Sequence, residues 1–146
     1  MRKFYQNKLW RDKLIEQREA KGAIVHTIPL AHAEYKEEIA MKLLEEANEF
    51  YSAETHEHMV DEIVDALEAI DCILDFHGIP RQEILALKAK KLAEQGSYKN
   101  HILIDYVEYP AGSAEEKHCL ENQDRYPELT DEEIDDESNS INSCCK

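Results

Sequence analysis

The chain is 146 residues long, 42% hydrophobic, with only four glycines and four prolines. That suits one modest helix-rich domain and argues against a β-sandwich. Its net charge of −15 excludes a protein that grips a nucleic-acid backbone, and no apolar run approaches the roughly 20 residues that span a bilayer. Residues 5–20 have moderate helical character, and "MRKFYQNKLWRDK" lacks the continuous apolar stretch of a signal peptide, so a cytoplasmic protein is expected. "AIVHTIPL" (23–30), with its β-branched residues and a proline, is read as an extended connector. Helical periodicity runs from about 32 to 53, with Ile39, Ala40, Leu43, Leu44, Ala47, Phe50 and Tyr51 on one apolar arc. Thr55 is an N-cap for a second helix over 56–77, and Gly78 is its stop. Pro80 opens a third helix over 80–95, which Gly96 ends. "HILIDYVEY" (101–109) predicts a short strand or extended arm. From Pro110 the chain turns polar and acidic, and "LTDEEIDDESNS" has the composition of a disordered tail.

The expected fold class is therefore all-α: a small antiparallel helical bundle with a C-terminal arm and an acidic tail. The short loops make consecutive helices neighbours. The expected division is a helical domain over 1–105 and an arm with tail over 106–146. Apolar surface in excess of what three helices can bury predicts a homodimer or homotetramer. The four cysteines, Cys72, Cys119, Cys144 and Cys145, show neither C-x-x-C spacing nor a disulfide framework. Cys72 is expected to be a small buried thiol.

The acids carry the chemistry. In "KLLEEANEFY" (42–51), Glu46 projects to the edge of the apolar arc, Glu49 lies one step further out and Glu45 further again. On the second helix Val60, Ile63, Val64, Leu67, Ile70 and Leu74 form the main apolar arc, and Asp61, Glu68 and Asp75 form a solvated strip. Glu62 and Asp65 instead share a face with Ala69, Cys72 and Phe76, which predicts contact with another helix. Both Glu46/Glu49 and Glu62/Asp65 are i,i+3 pairs, so each pair is adjacent on its helix surface. Either these are solvated charges or antiparallel helices set the pairs against each other. In the second case each like-charged contact near 4 Å costs about 4 kcal/mol at an effective dielectric of 20. A divalent cation then relieves the repulsion, and all-carboxylate ligation suits Mg²⁺ first and Mn²⁺ second.

Four blocks bear on that choice: "NKLWRDKL" (7–14), "EEANE" (45–49), "DEIVDALEAID" (61–71) and "KAKKLAEQGSYKNHILI" (88–104). In order and spacing they resemble the E-E-x-x-E … E-x-x-D signature and flanking blocks of the all-α MazG-like nucleoside triphosphate pyrophosphohydrolases. That group includes phosphoribosyl-ATP pyrophosphohydrolase. The resemblance implies an enzyme that cleaves between the α- and β-phosphates of a nucleotide, giving a monophosphate and pyrophosphate. It implies that Glu46, Glu49, Glu62 and Asp65 ligate Mg²⁺, with Glu45 beside them or orienting water. Basic residues would hold the substrate phosphates, the candidates being Lys8, Arg11, Lys13, Lys88 and Lys91. Ser97-Tyr98 departs from the group's Gly-Phe, and Trp10 stands in place of a small aliphatic residue. The rival reading is a non-catalytic helical module that senses a nucleotide or binds a partner. Asp71 is read as the partner of a base or a further ligand, and the His56-x-His58 pair as part of a solvated loop. Glu115…His118 is a lone E-x-x-H, too little for a di-iron bundle.

Overall fold

A computed structural model describes residues 1–130. The acidic stretch from Asp131, with Cys144 and Cys145, lies outside the described residues, and so does most of the expected tail. Among the described residues there are five α-helices: α1 (Asp12–Glu19), α2 (His32–Ser52), α3 (His56–His77), α4 (Arg81–Gln95) and α5 (Ala114–Glu121). A single 3₁₀ turn spans Tyr98–Asn100. There is no strand among the described residues, so the all-α class stands and 101–109 forms neither helix nor ladder. None of the described helices is long and apolar enough to cross a membrane. The chain divides into two compact units, Met1–Ser97 and Tyr98–Lys146.

Local chemistry places the helix ends. The backbone N–H of Ala31 donates to the Glu34 carboxylate at 2.7 Å, satisfying one exposed donor at the start of α2. At α3, Thr55 Oγ1 accepts from the His58 N–H at 3.1 Å, the cap expected from the sequence. Gly78 closes the helix in the left-handed conformation, φ 63°, and its N–H and that of Ile79 bond back to Asp75 and Leu74 carbonyls. Pro80 precedes α4 and Gly96 follows it, again as the sequence predicts. The first helix is shorter than the periodicity over 5–20 suggests, and its segment buries no residue. In the second unit, Ser113 caps α5 by accepting from the Glu116 N–H at 3.1 Å.

The core of the first unit is the seam between α2 and α3. They run antiparallel. His32, at the start of α2, stacks on Phe76, near the end of α3, with ring centroids 4.2 Å apart. At the other end Glu46 meets Glu62. The buried apolar side chains are Ile39, Ala69 and Leu74. Two buried carboxylates, Glu46 and Glu62, complete the seam. The face of α3 that meets α2 is thus the one carrying Glu62 and Ala69. Small residues there let the helices approach closely, and the acids come with them. The remainder of the main apolar arc of α3 stays open: Val60, Ile63, Val64, Leu67 and Ile70 are each 38–53% exposed. α4 buries no side chain.

Candidate metal centre

α2 contributes Glu46 and Glu49 from successive positions on one face, and α3 contributes Glu62 from its second turn. One carboxylate oxygen from each lies within 4.8 Å of the other two. Glu46 is 1% and Glu62 6% exposed, so both charges have left water. Of their oxygens, Glu46 Oε1 and Glu62 Oε2 are buried without a hydrogen-bond donor. A buried acceptor with no donor normally costs about 1–3 kcal/mol, and more when charged. The three carboxylates together form a place for a cation.

Protein cations cover part of this charge. The Lys42 ammonium contacts Glu46 Oε1 from one turn earlier on α2 and lies 3.2 Å from Glu45 Oε2. That contact gives Glu46 Oε1 a counter-charge, so Glu62 Oε2 is the buried oxygen left without a partner among the described residues. Lys8 Nζ donates to Glu45 Oε1 at 2.6 Å. His58 Nε2 lies 2.8 Å from Glu62 Oε1.

The ionisation equilibria follow from these neighbours. Burial pushes the Glu62 carboxyl above its ordinary range. Glu46 and Glu49 push it the same way, and His58 only partly opposes them. Burial alone would also raise Glu45, yet the hydrogen bonds from Lys8 and Lys42 outweigh it and hold Glu45 below its usual value. Lys42 has the mirror situation: desolvation lowers it, and the two glutamates more than restore the charged form.

Asp65 stands outside the group of three. Its Oδ1 accepts from Arg11 Nη2 at 2.5 Å and from Arg11 Nε at 3.1 Å. The same guanidinium lies 3.8 Å from Glu68, and the hydrogen bond to Asp65 is the main reason its pKa rises. Lys8 and Arg11, expected to meet phosphate, are therefore engaged with Glu45 and Asp65. Lys13 is exposed on α1, and its backbone N–H donates to Asp12 Oδ1 at 2.7 Å. Lys88 and Lys91 are exposed on α4 and carry no ion pair among the described residues. Asp71 pairs with Arg81, the basic partner that was one of its two readings.

Two residues beside the acids escaped the sequence reading. Lys42 precedes Glu46 by four residues, and His58 precedes Glu62 by four. Both spacings are those of helix-surface pairs. The signal was therefore present for each: His58 lies in the first turn of α3, inside the helix expected over 56–77, and what was missed is its contact with Glu62.

No family model matches this chain, and no curated protein or solved structure proves similar to it.

Proposed function

We propose that the protein is a Mg²⁺-dependent nucleotide pyrophosphohydrolase, with Mn²⁺ as the alternative ion. It would cleave a nucleoside triphosphate or related nucleotide between the α- and β-phosphates. The observation that carries this reading is the cluster of Glu46, Glu49 and Glu62, two of them buried, with Glu62 Oε2 lacking a donor. The order and spacing of the four sequence blocks shared with the MazG-like group support it.

The residues present fit a hard divalent ion, because every donor is a carboxylate oxygen. Such an ion would acidify a bound water and neutralise phosphate charge. Glu46, Glu49 and Glu62 would hold it. Asp65 becomes available as Arg11 turns to a substrate phosphate, for which its planar fork is the better match. Lys8 makes the corresponding exchange from Glu45, as a point charge. Glu45, kept ionised by Lys8 and Lys42, is a weak proton acceptor in this state and serves to place Lys42 and to orient water. Once Lys8 leaves, its basicity returns.

A second reading is favoured by one observation: Lys8, Lys42 and Arg11 already occupy Glu45, Glu46 and Asp65. A nucleotide-sensing module could use that arrangement without turnover. One assay separates the two. The full chain is incubated with Mg²⁺ and ribo-, deoxyribo- and modified triphosphates, diphosphates and phosphoribosyl-ATP, and the monophosphate product is measured together with pyrophosphate, or with orthophosphate from the diphosphates. Release with at least one substrate is expected, and silence across the panel sinks the enzyme. Glu49→Gln should lower any activity by at least about 100-fold, the scale of losing a key electrostatic group, with helical circular dichroism unchanged. Retained activity rejects Glu49 as a ligand.

A further inference from the structure

Lys42 is placed to reach two of the acids at once. It precedes Glu45 by three residues and Glu46 by four, the two spacings that bring side chains together on one helix face. Its ammonium contacts Glu46 Oε1 and lies 3.2 Å from Glu45 Oε2. The Lys42 side chain is 23% exposed, against 39% for Lys8 and 48% for Arg11, so its charge is the least screened of the three. Lys8 and Arg11 pair with Glu45, Asp65 and Glu68, whereas Lys42 pairs with a member of the group of Glu46, Glu49 and Glu62.

Two features make the contact between Lys42 and Glu46 one that can be exchanged. Lysine ahead of glutamate is the weaker order of an i,i+4 pair, so the contact draws on the burial of Glu46 more than on helix geometry. The ammonium also has a second partner within reach, because Glu45 Oε2 is already at ion-pair distance. A single ammonium does not balance three carboxylates. With Lys42 in place, Glu62 Oε2 is still buried without a donor, and Glu62 is 6% exposed. A doubly charged ion answers the charge that one ammonium leaves over.

We propose that Lys42 is the internal counter-cation of this cluster. It neutralises Glu46 in the metal-free protein, gives up Glu46 to an entering divalent ion and stays on Glu45. Lys42 thereby sets the affinity for the ion by competing with it. This inference rests on the reading of the acids as a metal centre and adds the residue that regulates that centre.

The test is calorimetric titration of the chelator-treated full chain with Mn²⁺, beside thermal melts. Lys42→Met should bind Mn²⁺ at least about tenfold more tightly than the wild type, a modest part of what one unit charge at close range contributes. Without metal the same variant should melt at a lower Tm, because Glu46 is then buried with no counter-charge. Excess Mn²⁺ should raise its Tm by more than it raises that of the wild type. A lysine that only braced the ligands gives the opposite sign, weaker binding. Lys42→Gln keeps a hydrogen-bond donor and loses the charge. It should also tighten binding, and it carries the test if Lys42→Met does not fold. Lys42→Arg, which keeps the charge, should not tighten binding. Lys36→Met makes the same change of charge at an exposed position of α2 and should leave the affinity unchanged, since solvent screens that position. Binding that is unchanged or weaker in both Lys42→Met and Lys42→Gln overturns the proposal and leaves the metal centre standing. Equal tightening by Lys36→Met overturns it too, because net charge would then be the cause. No Mn²⁺ binding by the wild type or by either Lys42 variant removes the metal centre itself, and the proposal with it.

Discussion

Glu62 sits where its own charge works against the fold. Its pKa is raised by burial and by Glu46 and Glu49, so the folded state holds that proton to higher pH than the unfolded chain does. Between the ordinary carboxylate value near 4.5 and the raised one, the folded state binds more protons, and stability falls as pH rises through that window. Glu45 acts in the opposite sense. Its pKa is depressed, so its contribution is present above the ordinary value and lost as acid protonates it. In chelator-treated protein, Glu62→Gln should therefore raise Tm at neutral pH and flatten its decline as pH rises above the ordinary carboxylate value. Thermal melts across that range check it, and an unchanged pH slope would remove Glu62 as the cause. Calorimetric titration with Mn²⁺ supplies the converse. The wild type should bind, and Glu62→Gln should bind at least about tenfold more weakly, since a bound divalent ion is what makes a buried charged Glu62 favourable. Lys42 and His58 could not be weighed from spacing alone, because an i,i+4 pair on a solvated helix looks the same as one beside a buried cluster.

At the scale of the element, ends were more legible than faces. Thr55, Gly78, Pro80 and Gly96 each act through a local property, whether a hydroxyl acceptor, freedom at positive φ or a fixed φ, and local properties are written in the chain. Thr55→Ala should destabilise the protein by about 1 kcal/mol through the lost cap on the His58 N–H. Gly78→Ala should cost about 1 kcal/mol as well, all of it in the backbone, because a Cβ added there meets nothing within 4 Å. Urea denaturation measures both, and a cost for Gly78→Ala well above that figure would mean the turn touches something. The same local signal was overlooked at α5. Ser113, with Glu116 three residues on, opens a helix there: Ser113 Oγ accepts from the Glu116 N–H, and the Glu116 carboxylate takes the Gly112 N–H in return. The stretch over 101–109 was read as a short strand or an extended arm, and the strand is the alternative that does not form. Its apolar character is real, but a strand needs a partner to receive its hydrogen bonds, and no ladder forms among the described residues.

For the whole molecule, charge opposes association and apolar surface favours it. The homodimer expected from the sequence, of chains each carrying −15, would repel itself at low ionic strength, where the screening length is about 30 Å at 0.01 M against about 8 Å at 0.15 M. Dimerisation should therefore tighten as salt is raised over that range, as sedimentation at the two ionic strengths would read. Weakening instead would mean that ion pairs across the contact dominate it. The core is thin: Ile39, Ala69 and Leu74 are the buried apolar residues of the first unit among the described residues.

Periodicity, caps and loop lengths are enough to specify α2, α3 and α4, their order and the pairing of α2 with α3, because each depends on residues close in the chain. They also mark Glu46, Glu49 and Glu62 as acids off the solvated strips. Which side of α3 turns inward was decided only by the tertiary structure. Small side chains at Ala66 and Ala69 permit the close approach that larger ones on the main arc prevent, and this draws Glu62 into contact with Glu46 and leaves the arc open. The partners of the charges were decided there too: Arg11 on Asp65, Lys8 on Glu45 and Arg81 on Asp71 join residues between 10 and 54 positions apart. Such contacts depend on where helices lie in space, and no local spacing encodes that.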